Sequence, residues 1–148
     1  MKPINVEAVI CGGGLSGLIC CLALSKIGIS TFCIDKSTHK NKKIDTRSTA
    51  YLNPSKEFLD SIGVWKHLSK NANPLKTLSI VNSNANFPYN SIISETKFNA
   101  VEIFQDEFGW NINNNQTKKI LLELVNKDKM INFEYDEIIN IRENNENL

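Results

Sequence analysis

The sequence predicts an α/β protein that begins with a parallel βαβ unit. Two observations support this prediction. The glycine-rich segment Cys-Gly-Gly-Gly-Leu-Ser-Gly, residues 11–17, lies between a short apolar run and a long one. A further run of β-branched and aromatic residues ends in Asp35, so the whole pattern fits within about 30 residues. Strand, tight turn, helix and strand at this spacing require two parallel strands joined by a right-handed crossover.

The elements of this unit follow from their composition. Residues 6–11 are predicted as a short buried strand, and residues 29–34 as the second strand. Residues 15–27 are apolar almost all round, which is typical of a buried helix. Gly28 is placed to end that helix, because glycine readily adopts the left-handed conformation that follows many helices.

A polar, basic loop follows, and a second helix is predicted after it. Asn53 is expected to cap this helix, with Pro54 at the first helical position and Gly63 at the end. Asparagine side chains accept hydrogen bonds from the first free N–H groups, and proline lacks an N–H that would need a partner there.

The remaining chain is predicted to contain strands and one more helix. Residues 76–83 and 99–105 alternate apolar and polar side chains, as half-buried strands do. Residues 115–127 are predicted as an amphipathic helix, and residues 130–135 and 137–143 as two short strands. The apolar face of the helix contains Ile120, Leu121, Leu124 and Val125.

Length and composition indicate an ordinary globular domain. The chain has 148 residues, 41% of them hydrophobic and 22% charged. A net charge of +1 gives no bulk attraction for nucleic acid, so no nucleic-acid partner is expected. The longest apolar stretch, residues 18–24, is too short to cross a bilayer, and no export signal is evident. We therefore expect a cytoplasmic protein.

The cysteines and histidines predict no metal site. The four cysteines lie in apolar runs and form no C-x-x-C pair, and the two histidines lack partners at ligand spacing. Buried, reduced thiols that act as small hydrophobic side chains are the better interpretation. These residues are Cys11, Cys20, Cys21, Cys33, His39 and His67.

The glycine segment fits the G-x-G-x-x-G pattern of dinucleotide-binding turns. Gly12 allows a tight turn, Gly14 lets backbone approach a pyrophosphate, and Gly17 lets the helix lie close to the strand. Leu15 and Ser16 begin the helix, where free N–H groups and the positive end of the helix dipole favour phosphate. The alternative is a simple glycine-rich turn between a strand and a helix.

Asp35 is the expected ribose-binding residue. It follows the last glycine of the motif by 18 residues and ends the second strand, with Lys36 beside it. A carboxylate there accepts hydrogen bonds from ribose hydroxyls and disfavours a 2′-phosphate, so NADP is disfavoured at this position. The motif alone leaves NAD and FAD open, because both contain the same ADP moiety.

Three later blocks of sequence are more specific. The first is Asp45-Thr46-Arg47, and the second is the Ile-Gly-Val-Trp segment at residues 62–65, followed by Ala72, Pro74 and Leu75. The third is residues 109–124. In this order the blocks resemble the FAD-dependent hydroxylases of ubiquinone biosynthesis, which are aromatic-ring monooxygenases with the para-hydroxybenzoate hydroxylase fold.

The resemblance implies FAD as the cofactor and a role for several residues. Gly12, Gly14 and Gly17, with Leu15 and Ser16, would bind the pyrophosphate. Asp35 and Lys36 would lie at the adenosine ribose, and Arg47 would reach the flavin side. The family usually has Arg or Gln where this chain has Asn115, which can bind a hydroxyl but carries no charge.

The resemblance also implies an enzyme. It would be a monooxygenase that uses NAD(P)H and O2 to hydroxylate the aromatic ring of a polyprenylated ubiquinone precursor. Such a substrate implies peripheral contact with the inner face of a membrane or with a biosynthetic complex. The residues identify no catalytic acid, base or nucleophile.

The domain organisation implied is an incomplete FAD-binding domain. Residues 1–70 and about 111–148 would form the FAD-binding part, and about 72–110 the strands leading into a substrate domain. The family's later Asp-Gly and Gly-Asp motifs have no counterpart here. The chain is therefore expected to be an N-terminal part that binds FAD poorly and is inactive alone. The alternatives are a non-catalytic nucleotide-binding module and an NAD-dependent dehydrogenase domain, which would continue the βα alternation after Asp35.

Overall fold

The chain folds into two units, which we describe separately. A computed structural model describes residues 3–36, 45–84 and 91–142. The first unit is formed by Met1–Arg47 and Asn114–Leu148, and the second by Ser48–Asn113. The domain bounds that the sequence suggests at about residues 70 and 111 stay a prediction.

The described residues contain eight strands, four α-helices and two short 3₁₀ turns. In chain order the strands and helices are β1 (Ala8–Cys11), α1 (Leu15–Lys26), β2 (Thr31–Ile34), β3 (Ser48–Leu52), α2 (Asn53–Ser61), α3 (Trp65–Leu68), β4 (Asn73–Leu75), β5 (Thr77–Asn84), β6 (Ser91–Asn99), β7 (Gly109–Asn113), α4 (Asn114–Lys127) and β8 (Ile131–Glu134). The 3₁₀ turns are Ser69–Asn71 and Ala100–Ile103.

The first unit is a parallel sheet with helices packed on it. Its strands lie in the order β1–β2–β8, and both pairs are parallel. Helices α1 and α4 contact one another and the sheet. Burial of apolar side chains between the sheet and the helices makes the main favourable contribution to the free energy of folding. The buried residues include Leu18, Cys21, Cys33, Leu121, Val125 and Ile131. The predicted α/β fold with an initial βαβ unit is confirmed.

The ends of the parallel strands lie at one edge of this sheet. In the register of the strands, Cys11 pairs with Ile34, and Ile34 pairs with Glu134. The N–H of Gly12 donates to the carbonyl of Ile34 at 2.7 Å, and the N–H of Asp35 donates to the carbonyl of Glu134 at 3.0 Å. Residues that follow these strands are therefore gathered at the carboxyl edge, where α/β sheets bind their ligands.

The second unit is built from antiparallel strands. A three-stranded sheet has the order β3–β7–β4, and β5 and β6 form a separate two-stranded ladder. Trp65 and Trp110 meet edge to face, with ring centroids 5.2 Å apart. The buried residues of this unit include Tyr51, Leu59, Val64, Leu68 and Ile112.

Two predictions for the second unit are wrong. Helix α2 is capped at Leu52, so Asn53 lies inside the helix rather than before it. Residues 99–105 are predicted as a strand, but Asn99 ends β6 and residues 100–105 are not a strand, because Asn99 and Glu102 form a reciprocal capping box that starts the 3₁₀ turn at Ala100–Ile103. The turn ends at Phe104, whose φ of 57° is left-handed. Val101 and Ile103, which give the segment its alternating pattern, therefore lie in the 3₁₀ turn and are exposed.

Two further expectations are also corrected. The strand predicted at residues 137–143 does not occur over 137–142, the part that the structure describes. Of the four cysteines expected to be buried, Cys11 and Cys20 are exposed, because they lie at the sheet edge and on the outer side of α1. Among the described residues, no helix combines the length and the apolar character needed to cross a membrane.

The core of the first unit yields a stability prediction. Leu121 is fully buried on α4, so Leu121→Ala should leave a cavity and lower the free energy of unfolding by about 3 kcal/mol. Ile139→Ala is the control, because Ile139 is 96% exposed and its loss should cost less than about 0.5 kcal/mol. Urea unfolding followed by circular dichroism measures both. Equal losses would contradict the assigned packing of α4.

Candidate nucleotide-binding site

The glycine turn brings α1 against the end of β1. Gly12 has a φ of +113°, a conformation that residues with a Cβ rarely adopt. A Cβ added at Gly17 would overlap the carbonyl oxygen of Gly12 and lie 3.4 Å from Cγ2 of Ile10. Glycine is therefore required at position 17 for the helix to approach the strand this closely.

The other two glycines differ in what surrounds them. Gly13 is buried, and a Cβ there would lie 2.7 Å from Cε2 of Phe133 and 2.8 Å from Oδ2 of Asp35. Gly14 caps α1 in an extended conformation, and an added Cβ would meet no described atom within 4 Å. The space beside Gly14 is open to a ligand.

The N-terminus of α1 is suited to an anion. The described first turn holds no acidic side chain, and Gly14 supplies no side-chain cap. The first N–H groups of a helix have no partner within it, and the helix dipole adds partial positive charge there. Leu15 and Ser16 lie in this first turn. Backbone N–H groups and open space together can hold a phosphate.

Asp35 lies at the same edge and forms an ion pair that the sequence did not predict. Its Oδ2 is 3.5 Å from Nζ of Lys118, which reaches it from α4. The two side chains are only 12% and 24% exposed, respectively. Lys118 is one of two adjacent lysines on a polar helix face, so no sequence signal distinguishes it from Lys119.

A cavity of about 350 Å³ lies at this edge. Gly12, Asp35 and Lys36 line it, and so the structure brings these three predicted site residues together. Asp136 and Glu137 also line it and were not predicted. The volume is at the low end of the range for small-molecule sites.

Arg47 belongs to a separate hydrogen-bonded cluster within the same unit. Its Nε and Nη2 donate to the two carboxylate oxygens of Asp45 at 2.8 and 2.9 Å. Nδ2 of Asn114 donates to the same carboxylate at 3.1 Å. Arg47 is 81% exposed, so its guanidinium lies in solvent. Asn115, the predicted site residue, is the exposed neighbour of Asn114.

Several groups have shifted acid–base properties. The hydrogen bonds from Arg47 and Asn114 hold the pKa of Asp45 well below its usual range. Burial raises the pKa of Tyr135, which lies near Asp35 and Lys118. Burial also raises the pKa of Cys33 to about 12 and that of Cys21 in the same direction, so these thiols stay protonated and unreactive.

Metal ligands are not grouped in the part of the chain that the structure describes. No cluster of three or more His, Cys, Asp or Glu side chains there is arranged to hold a metal ion. The groups gathered at the sheet edge are instead backbone N–H groups, the carboxylates of Asp35, Asp136 and Glu137, and the ammonium groups of Lys36 and Lys118. These groups bind phosphates and hydroxyls.

One protein family matches this chain over nearly its whole length. The family is described as the FAD binding domain, and it matches residues 5–146. The match includes the glycine turn, Asp35, Lys118 and the cluster around Arg47. No curated protein matches the chain significantly.

Solved structures of two monooxygenases and of a third protein bound to FAD are similar in fold. The p-nitrophenol 4-monooxygenase PnpA of Pseudomonas putida DLL-E4 has a TM-score of 0.65 at 20% identity, over 90% of this chain. The flavin-dependent monooxygenase PieE, solved with FAD and substrate, has a TM-score of 0.64 at 16% identity, also over 90%. Klebsiella pneumoniae HpxO, solved with FAD and uric acid, has a TM-score of 0.60 at 15% identity, over 85%.

The chain is much shorter than these structures. It covers 32% of the PnpA chain, 24% of the PieE chain and 30% of the HpxO chain. The similarity therefore concerns about a third of each fold or less.

The glycine geometry predicts losses of stability of different size at two positions. Gly17→Ala should lower the free energy of unfolding by more than about 2 kcal/mol, because the new methyl group overlaps backbone. Gly14→Ala should cost less than about 1 kcal/mol, since its methyl group enters open space and only the helix cap is weakened. Thermal and urea unfolding compare the two variants. A larger loss for Gly14→Ala would contradict the described turn.

The cluster around Arg47 predicts a pH dependence. The lowered pKa of Asp45 means that this carboxylate stays ionised at about pH 3, where an ordinary aspartate is largely protonated. Its stabilising contribution is present above the ordinary pKa and is lost as the pH falls through the lowered one. Carboxyl ¹³C NMR titration measures this. Arg47→Ala should move the pKa up towards its ordinary value, whereas Arg142→Ala should not. An ordinary pKa in the wild type would contradict the cluster.

Proposed function

The chain belongs to the FAD-binding domain family, and from this premise we propose that it supplies the phosphate- and ribose-binding part of the FAD site of an aromatic-ring hydroxylase. The observation that carries the proposal is the cavity shared by Gly12 and Asp35. A turn with open space at a helix N-terminus and a carboxylate at the end of the next strand are complementary to the two ends of an ADP moiety.

The residues present fit this part of the cofactor. The open space at Gly14 admits a pyrophosphate to the N–H groups at the start of α1, including those of Leu15 and Ser16. Gly17 lets α1 start at this position. Asp35 would accept hydrogen bonds from the adenosine ribose.

Lys36, Arg47 and Asn115 complete the proposed contacts. Lys36 is exposed at the cavity and would add positive charge beside Asp35 at the adenosine ribose. Arg47 would bind cofactor oxygens on the flavin side with the N–H groups that Asp45 does not occupy. Asn115 would contribute a neutral hydrogen bond.

The proposed reaction is hydroxylation of the aromatic ring of a polyprenylated ubiquinone precursor. The bound flavin, reduced by NAD(P)H, would supply the activation of O2, and the protein would bind, orient and shield it. The Asp45–Arg47 block, the Ile-Gly-Val-Trp segment at residues 62–65 and the block at 109–124 support this branch of the family. A prenylated substrate would bring a cytoplasmic enzyme to the inner face of a membrane, alone or in a biosynthetic complex.

The full activity would require more of the fold than this chain contains. The chain spans at most about a third of the length of the solved structures that it resembles. We therefore propose that it binds FAD weakly and is inactive alone, whether it functions within an enzyme or as a non-catalytic nucleotide-binding module. A dehydrogenase domain is disfavoured, because the described strands between residues 48 and 113 pair antiparallel instead of continuing the βα alternation.

Binding of ADP and FAD tests the proposed site. We expect both ligands to bind, with FAD less than about ten-fold tighter than ADP, because this part of the site contacts mainly the ADP moiety. Asp35→Asn should lower the affinities for ADP and for FAD by about ten-fold, which is the effect of losing one hydrogen bond to a charged group. Isothermal titration calorimetry and flavin fluorescence measure these affinities.

Asp60→Asn is the matched control. Asp60 is exposed on α2 in the other unit, and its substitution removes one negative charge, as Asp35→Asn does. Its affinities should equal those of the wild type. A chain that binds neither ADP nor FAD would refute the nucleotide site. A yellow preparation with stoichiometric, tightly held flavin would refute the proposal that this part binds FAD weakly alone.

A further inference from the structure

We propose that Lys118 is a positioning residue for ribose recognition: its ammonium group fixes the Asp35 carboxylate at the cavity edge in the orientation that accepts a ribose hydroxyl. This inference rests on the proposed function, because it assigns a role to Lys118 only where Asp35 binds a nucleotide. It adds a residue from α4 to a site otherwise built from the βαβ unit.

The first observation is the confinement of Asp35. Its backbone N–H donates a hydrogen bond to the carbonyl oxygen of Glu134 at 3.0 Å, which fixes the backbone from which the side chain extends. Its Oδ2 lies so close to Gly13 that a Cβ at that glycine would be 2.8 Å away. Lys118 approaches the same oxygen to 3.5 Å from the helix layer. One carboxylate oxygen is thus held between the glycine turn and α4.

The second observation is the burial of the pair. An ion pair on an open surface contributes little, because water screens it and two flexible side chains must be ordered. Here the Asp35 and Lys118 side chains are 12% and 24% exposed, respectively. A carboxylate removed from water needs an opposite charge or hydrogen bonds to remain ionised. Lys118 supplies that charge.

The third observation is where Lys118 stands relative to the cavity. Asp35 lines the cavity, whereas the described lining does not include Lys118. Lys118 therefore acts through Asp35 rather than by touching the nucleotide. The neighbouring Lys119 is exposed, and the structure gives it no ion pair among the described residues, so the two lysines differ in position and not in chemistry.

The chemistry recognised is a nucleotide with free ribose hydroxyls. A hydroxyl donates its hydrogen to an ionised carboxylate, and this bond is stronger than one to a neutral acceptor. Loss of Lys118 would remove a counter-charge beside Asp35 and one restraint on its rotamer, so this bond would weaken. Contacts of the phosphates with α1 would be unaffected, because they involve backbone N–H groups and not the Asp35 side chain.

The test compares ADP with 2′,3′-dideoxy-ADP, which lacks both ribose hydroxyls, as ligands of the whole 148-residue chain. Lys118→Met should weaken ADP binding by about ten-fold. Binding of the dideoxy nucleotide, already weaker in the wild type, should be unchanged by the substitution. Lys118→Arg should restore most of the ADP affinity because it restores the charge. NMR titration measures these affinities in the millimolar range.

Lys119→Met is the matched control and should bind ADP as the wild type does. Lys118→Gln, a polar and uncharged change, repeats the test if Lys118→Met folds poorly, and melting temperatures identify that case. Unchanged ADP affinity in both Lys118 variants would overturn the inference and leave the proposed function standing. Equal losses for ADP and the dideoxy nucleotide would also overturn it, because they indicate a general structural role. Failure of the wild type to bind ADP would refute the proposed function itself.

Discussion

The close approach of α1 to the end of β1 is the constraint on which the site depends. It requires glycine at position 17, because any Cβ there would overlap the carbonyl oxygen of Gly12. It also requires Gly12 to leave the strand with a positive φ. Once the helix starts at this point, its free N–H groups face the carboxyl edge of the parallel sheet. The cavity, the open space at Gly14 and the position of Asp35 all follow from that placement.

The glycine turn also determines how closely the Asp35 side chain can approach the backbone. Gly13 is buried under its carboxylate, so the acid can lie close to the backbone of the turn instead of extending into solvent. The cost of burying this charge is offset by Lys118, which α4 brings from more than 80 residues further along the chain. Two distant segments therefore meet at one oxygen. The charge environment of Asp35 at the cavity therefore depends on how α4 packs on the sheet.

The sequence predicts those features that are encoded locally. The glycine spacing, the apolar helix and the left-handed Gly28 lie within one short segment, and the structure contains all of them. The ladder of β3 with β7 joins residues about 60 positions apart, and no local pattern indicates such pairing. Lys118 was missed for the same reason. At residues 99–105 the alternating pattern predicts a strand, but hydrogen bonds between the Asn99 and Glu102 side chains and the backbone stabilise a 3₁₀ turn instead. Hydrophobic periodicity contains no information about such hydrogen bonds.

We propose that the glycine turn and Asp35 together bind the ADP moiety of a dinucleotide. The most direct measurement is a ¹⁵N NMR titration of the chain with ADP, followed at the backbone amides. The account predicts the largest and saturable shifts at residues 12–17 and at 35–36, with the amides of β5 and β6 unchanged. Shifts confined to residues 48–113, or none at saturating ADP, would contradict it.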